Sequence, residues 1–177
     1  MTIGNFSPRR PALVLLSGLP GAGKTTFARE LGKALACAHF ESDAVRRGIA
    51  ATPAYTPDES ALVFRTIEER AREALQSGRN ALVDATNLTR SDRRRFHRLA
   101  GQVDALLVAV RLTAPEAVIR ERLSRPREGN SEAGLAVYEL MRGRAQPFTV
   151  PAIVVDTRFD LAASIALVVR LVENGSG

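Results

Sequence analysis

The stretch ALVLLSGLPGAGKTT at residues 12–26 decides how the rest of this sequence is interpreted. Its first part, residues 12–17, is typical of a short buried strand of a parallel sheet. The next part, residues 18–25, matches the pattern G-x-x-x-x-G-K-[ST] in full. A helix is predicted to follow over residues 24–36. A glycine loop between a strand and a helix is the context that distinguishes this motif from a chance glycine-rich turn.

This loop predicts a cradle for phosphate groups. Its glycines let the backbone curl so that successive N–H groups face inward, and the helix that follows directs its positive end at the same anion. We expect Lys24 to reach the β- and γ-phosphates and Thr25 to ligate magnesium, so ATP and Mg²⁺ are the predicted cofactors. The predicted nucleotide-binding residues are Gly18, Pro20, Gly21, Ala22, Gly23, Lys24, Thr25 and Thr26.

Outward from the loop, apolar runs alternate with helical patterns. Further strands are predicted at residues 39–42, 81–84, 103–112 and 152–156, and further helices at 57–77, 89–101, 113–124, 131–142 and 160–173. This alternation indicates an α/β fold with a parallel sheet, right-handed crossovers and ligands at the carboxyl ends of the strands. We expect a single domain over residues 1–177, with its core at about 12–173.

The composition narrows the classes of protein. A chain of 177 residues with 45% hydrophobic and 25% charged residues suits one folded domain. Its formal charge is +6, and only Lys24 and Lys33 among its 25 basic residues are lysines. The arginine excess reflects either coding bias or an anionic partner such as nucleic acid, and the composition leaves both open. The single cysteine, Cys37, excludes an internal disulfide and fits a cytoplasmic protein, and no apolar run is long enough for a membrane helix.

An aspartate, Asp43, follows the second predicted strand. A carboxylate there can accept the proton of a hydroxyl that attacks the γ-phosphoryl group. Arg46, one turn further on, could hold an anionic part of that acceptor. The alternative for Asp43 is a helix N-cap for residues 44–50. Glu41 and Ser42 are further candidates for the base.

The third predicted strand ends in Asp84, a Walker-B-like signal. Its carboxylate could orient a magnesium-bound water, or hold a substrate hydroxyl or an arginine. The alternative is an Asx-type cap on the loop that follows. Thr86 and Asn87 lie in that loop and are candidate substrate contacts.

Four arginines occur in one short stretch, at positions 120, 122, 125 and 127. Phosphoryl transfer develops negative charge, which mobile arginines neutralise once a site closes. We therefore predict a lid over about 120–145. Arg122, Arg125 and Arg127 are equivalent catalytic candidates, whereas Arg120 is predicted to be a solvated surface residue.

A second basic run occupies residues 90–98. Helical spacing predicts that Phe96, Leu99 and Ala100 form its buried stripe and that its arginines lie outside. A solvated face is one interpretation of those arginines, and a track for nucleic acid is the other. His39 is interpreted as a strand residue without chemistry.

Two absences favour a small kinase over other phosphate-loop proteins. Lys33 is the only lysine outside the loop, so the sequence lacks the Asn-Lys-x-Asp motif with which many GTPases read guanine. Asp84 is followed by Ala85 rather than by a second acid, which argues against an AAA motor. An aspartate after the second strand and an arginine lid indicate phosphoryl transfer to a hydroxyl.

The chain resembles the polynucleotide-kinase-like P-loop kinases, a group that also holds gluconate kinases and zeta toxins. The segments that carry the resemblance are GLPGAGKTT, SDAVRR, LVDATNL, RERLSRPREGNSEA and PF-x-x-P followed by IVVDT. It implies a three-layer fold with strand order 2-3-1-4-5, Asp43 as the general base, and Arg46 and Asp84 on the substrate side. It also implies an adenine near the lid and Thr157, with residues 146–148 nearby.

Three functions follow as hypotheses. The leading one is a kinase that transfers the γ-phosphoryl group of ATP to a 5′-OH polynucleotide end. The second keeps this chemistry with a small sugar, metabolite or antibiotic as acceptor. The third is a regulatory ATPase without an acceptor.

Overall fold

A five-stranded parallel sheet forms the centre of the computed structural model, which describes residues 10–50, 52, 56–125 and 134–175. The strands are β1 (Ala12–Ser17), β2 (Ala38–Glu41), β3 (Ala81–Asp84), β4 (Leu106–Thr113) and β5 (Ile153–Asp156). They pair in the order β2-β3-β1-β4-β5, which confirms the predicted topology.

Helices connect the strands. Those described are α1 (Lys24–Ala34), α2 (Ser42–Ile49), α3 (Pro57–Gln76), α4 (Arg90–Gln102), α5 (Glu116–Ser124), α6 (Leu135–Arg144) and α7 (Ala162–Asn174). Thr56 caps α3 by accepting a hydrogen bond from the Glu59 amide. Thr89 and Asp92 form a reciprocal capping box at α4. In the described ranges no helix is long and apolar enough to cross a membrane.

Several predicted boundaries shift. Strand β4 begins at Leu106 rather than at 103, because Asp104 adopts a left-handed turn with φ 50° between α4 and the strand. The helix predicted over 113–124 begins at Glu116 rather than at 113. Thr113 belongs to β4 and its hydroxyl donates to the Val155 carbonyl, while Pro115 occupies the N-cap position.

Side chains alternate between the two faces of the sheet, and each face carries one layer of helices. Val14 and Leu16 of β1 pack with α1 and α7. Leu13 and Leu15 pack with α3 and α4, where Phe96 lies in the buried stripe that the sequence predicted. A smaller cluster of Ile119, Leu123 and Tyr138 packs α5 and α6 against Leu19 of the glycine loop. Helices α5 and α6 therefore contact the loop directly.

Candidate active site

The glycine loop turns sharply into helix α1. Gly21 and Gly23 have φ angles of 80° and 91°, in the region that favours glycine. A Cβ atom on Gly23 would lie 3.1 Å from the side chain of Thr157, so the loop and the turn after β5 also approach each other closely. The Lys24 Nζ donates to the carbonyl oxygens of Gly18 and Leu19, at 3.0 and 3.1 Å. Together these features give the curled backbone that phosphate binding requires.

The other residues of the predicted nucleotide site differ in how far they are buried. Pro20 and Ala22 are buried in the loop, whereas Thr25 and Thr26 are exposed in the first turn of α1. The Thr25 hydroxyl is thus accessible at the positive end of the helix, which is the position that a magnesium ligand needs.

The loop is fastened to the turn after β3. The Gly18 amide donates to the Thr86 carbonyl at 3.0 Å, and the Ser17 hydroxyl donates to the carbonyls of Thr86 and Asn87 at 3.1 Å. The Asn87 amide nitrogen donates to the Leu16 carbonyl at 2.7 Å. Asn87 is fully buried with φ 44°, so its side chain supports the loop from within the fold.

Asp84 lies on the same side of the sheet as α1. Leu82 packs against the α1 residues, and a residue two positions along a strand shares its face. The Asp84 side chain is 2% exposed, and its Oδ2 atom has no hydrogen-bond partner among the described residues. The His39 Nε2 atom is 3.5 Å from that oxygen, which places His39 closer to the site than the sequence predicted.

The oxygen atoms of Thr25 and Asp84 are suitable ligands for a magnesium ion. Hard cations prefer oxygen ligands, and Mg²⁺ keeps several waters while it contacts one or two protein groups and the phosphates. The accessible hydroxyl of Thr25 and the buried, incompletely bonded carboxylate of Asp84 supply such oxygens. The Asx-type cap considered for Asp84 is not formed through Oδ2.

Asp43 is the second residue of helix α2 and is half-buried. Burial raises the pKa of its carboxyl above the ordinary value of 3.8, while the charge of Lys24 opposes that rise. Glu41 and Asp84 are also close enough to raise it. The alternative of an N-cap is not adopted, because Glu41 occupies that position and no side chain caps the helix.

Arg46 contacts helix α3. Its guanidinium is buried and forms an ion pair with Glu59 of α3. A second nitrogen lies 3.4 Å from the Ser60 hydroxyl. The side chain thus joins α2 to α3 in this structure.

The lid arginines occupy different surroundings. Arg122 donates to the Gly21 carbonyl at 3.2 Å and to both the hydroxyl and the carbonyl of Thr157, at 2.8 and 2.9 Å. Arg125 is exposed and pairs with Glu121. Arg127 lies outside the described residues. Arg122 is therefore the described candidate that touches the glycine loop.

One arginine of the basic run was placed wrongly by the sequence. Arg93 is 4% exposed, whereas the amphipathic pattern put every arginine of α4 outside. It donates to the carbonyls of Asn87, Leu88, Gln146 and Pro147. The signal was its position three residues before Phe96, on the buried stripe.

Residues 146–148 contact Arg93 and the turn after β3. The Gln146 amide donates to the Leu88 carbonyl at 3.0 Å, and the Phe148 ring lies 4.3 Å from the Arg93 guanidinium. Thr157, by contrast, contacts Arg122. The structure therefore brings the segment after α6 to the turn after β3.

A parallel sheet of this order, with a glycine loop that joins its first strand to a helix, defines a P-loop protein. Within that class the chain belongs to the AAA_33 family, described as an AAA domain, whose model matches residues 13–148. The resemblance to the P-loop kinases is confirmed by the relatives and structural neighbours, which include several kinases.

Among the relatives is the L-seryl-tRNA(Sec) kinase of Methanococcus maripaludis, 26% identical over 153 residues. The match covers 82% of this chain and 59% of that kinase. Other curated relatives are matched over 29% of their length. The chain thus spans less than two thirds of these proteins.

Solved structures share the fold. The APS kinase of Mycobacterium tuberculosis, in complex with AMPPNP and APS, has a TM-score of 0.72 at 18% identity, with 94% of this chain and 99% of that chain covered. A gluconokinase from Sinorhizobium meliloti has a TM-score of 0.70 at 20% identity, with 95% of each chain covered. At these identities the likeness supports the fold alone.

Proposed function

We propose that the protein is an ATP- and Mg²⁺-dependent kinase that uses Asp43 as its general base. The observation that carries the proposal is the position of Asp43. It stands at the carboxyl end of β2, within electrostatic reach of the loop lysine Lys24, with a raised pKa. A base with a raised pKa is better matched to proton transfer near neutral pH than an ordinary aspartate.

The roles of the residues follow from their positions. The loop amides and Lys24 hold the β- and γ-phosphates, and Thr25 with Asp84 holds the magnesium ion, which neutralises charge on the phosphates when bound. The acceptor oxygen attacks the γ-phosphorus as its proton passes to the Asp43 carboxylate, and ADP leaves with the bond to the γ-phosphorus broken. Arg122 keeps the loop against Thr157 during this step.

The proposed acceptor is a hydroxyl carried by nucleic acid, with a 5′-OH end first. The net charge of +6 favours a polyanion, and one relative is named as a kinase of seryl-tRNA. A small-molecule acceptor is equally plausible, because the fold neighbours include kinases of APS and gluconate by name. Use of ATP and the single cysteine fit a cytoplasmic location.

A transfer assay tests the proposal. Labelled ATP is offered with a 5′-OH oligonucleotide, nucleosides, gluconate or adenylyl sulfate. We expect Asp43→Asn to reduce transfer by about 10²- to 10⁴-fold, because the proton then lacks its acceptor, while ATP affinity is retained. Asp58→Asn, an exposed change in the first turn of α3, is the matched control. Full activity of D43N would remove Asp43 from the mechanism, and transfer to no acceptor would favour a regulatory ATPase.

A further inference from the structure

A cavity of about 200 Å³ lies beside the glycine loop. Its walls include Ser17, Gly18, Arg93, Arg111, Gln146 and Phe148. It also borders Leu88, in the turn that follows Asp84. Neither Arg122 nor Thr157 contributes to it. The cavity is therefore separate from the contact between Arg122 and Thr157, although Leu19 and Ile119, which pack the loop against α5, also line it.

Arg93 forms one wall of this cavity. Its two terminal nitrogens donate to four main-chain carbonyls, at distances from 2.6 to 3.2 Å. These bonds direct its donors to the backbone rather than to a ligand. Its planar group also lies over the Phe148 ring, which holds that ring at the cavity.

Arg111 supplies a second guanidinium at the same cavity. It lies on β4, beside Ser17 of β1 in the strand register, and is exposed. Its guanidinium carbon is 5.7 Å from the Phe148 ring. In the described part of the chain it pairs with no carboxylate. Unlike Arg93, whose donors are taken up by main-chain carbonyls, exposed Arg111 has donors available for a group bound in the cavity.

The two arginines repel each other across this space. Burial lowers the pKa of Arg93, Asp92 opposes that change, and the charge of Arg111 lowers it further. An anion bound between two like charges would reduce their repulsion, which favours its binding in the cavity. Guanidinium groups bind phosphate, sulfate and carboxylate by paired hydrogen bonds.

We propose that this cavity binds an anionic group on the acceptor and that Arg111 determines specificity for it. The inference rests on the proposed kinase function, because the cavity adjoins Ser17 and Gly18 at the start of the phosphate loop that an acceptor must reach. The phosphodiester of a nucleic acid and the carboxylate of a small metabolite share the required chemistry. A neutral sugar lacks it.

Kinetics of matched variants test the assignment. Arg111→Met removes the proposed contact, and Arg170→Met, exposed on α7, removes the same charge elsewhere. We expect R111M to raise the acceptor KM by about 10- to 100-fold, the value of one charged hydrogen bond, with the ATP KM unchanged. R111K should recover part of the loss. Equal effects of R111M and R170M, or an equal rise in the ATP KM, would overturn the proposal.

Comparing the effect of R111M on different acceptors identifies the anionic group that the cavity binds. A large effect of R111M on a 5′-OH oligonucleotide indicates a phosphodiester, and a large effect on gluconate indicates a carboxylate. An effect of the same size on an uncharged sugar contradicts the proposal.

A binding experiment separates this inference from the kinase function. With AMPPNP and Mg²⁺ saturating the glycine loop, adenosine 3′-phosphate and gluconate are titrated calorimetrically into the wild type, R111M and R170M. At least tenfold weaker binding to R111M alone supports the cavity, even if no acceptor is phosphorylated. Absence of binding of both probes to the wild type, or equal binding to all three proteins, overturns the inference.

Discussion

Asp43 is held where burial disfavours its charge and Lys24 favours it, with burial the larger effect on its pKa. A carboxyl whose pKa is higher in the folded state than in the unfolded state binds its proton more tightly when folded. Its contribution to stability is complete below the unfolded pKa and is lost as the pH rises through the folded pKa. At neutral pH the charged Asp43 therefore weakens the fold on which it acts.

Because the pKa of Asp43 is raised in the folded protein, we predict that the inactive variant Asp43→Asn is more stable than the wild type at neutral pH. At pH 7 we expect Asp43→Asn to raise the free energy of unfolding, because asparagine is neutral at every pH and nearly isosteric. The advantage should shrink as the pH falls toward 4, where Asp43 becomes protonated. Urea denaturation of both proteins at the two pH values measures the difference. A lower stability of D43N at pH 7 would show that Lys24 outweighs burial.

At this scale the sequence identified the residues that belong to a local pattern. The loop lysine and Thr25 begin the helix after β1, Asp43 lies two residues past β2, and Asp84 ends β3, so their positions follow from the fold. The partners of Arg46, Arg93 and Arg122 could not be predicted. Arg122 meets a carbonyl 101 residues away, and a local pattern contains no information about such contacts.

Helix α1 and its preceding glycine show how one element serves the site. Gly23 is the left-handed residue before α1 and also the point where the loop meets Thr157. Gly32, within the same helix, has open space where a Cβ would lie. A methyl group at Gly23 would therefore contact Thr157, whereas a methyl group at Gly32 would meet no other atom.

We expect Gly23→Ala to weaken AMPPNP binding by at least tenfold, because the left-handed backbone costs roughly 1–2 kcal/mol for alanine and Thr157 must move. Gly32→Ala should leave binding unchanged and stabilise the protein by about 0.5–1 kcal/mol. Calorimetry and urea denaturation measure the two effects. Unchanged nucleotide affinity in G23A would contradict the expected geometry of the loop.

Helices α2 and α3 are joined by a buried charge pair. Removing Arg46 takes away the cation that pairs with Glu59, whose side chain is 11% exposed. We expect Arg46→Met to cost about 3–5 kcal/mol, and the double variant R46M/E59M to cost much less. A double-mutant cycle by urea denaturation measures the coupling. Additive losses would show that the two side chains act independently.

Across the whole molecule, the net charge of +6 gives the acceptor question a direct test. If nucleic acid is the acceptor, log KM should rise with log salt concentration by about 0.7 for each phosphate contacted on a single strand. The KM of gluconate should respond much less. Steady-state assays between 50 and 200 mM salt, about a fourfold range, measure both slopes. A flat response for the oligonucleotide would favour a small acceptor.

At this scale the sequence was most informative. Five apolar runs separated by helical patterns determined the sheet, and the resemblance supplied its strand order, which the structure confirms. The ends of elements were less certain, as at β4, because a left-handed turn at Asp104 is a matter of three-dimensional packing rather than of hydrophobic pattern.

The hydrogen bonds that assemble the site have a consequence for folding. Arg93 reaches Pro147 across 54 positions of the chain, and Ser17 reaches Asn87 across 70. Contacts between such distant positions form only after the intervening loops have closed, so they arise late and slowly. During refolding, secondary structure should therefore recover before nucleotide affinity. The rate at which binding of a fluorescent ATP analogue recovers would then measure the rate of the final stage of folding.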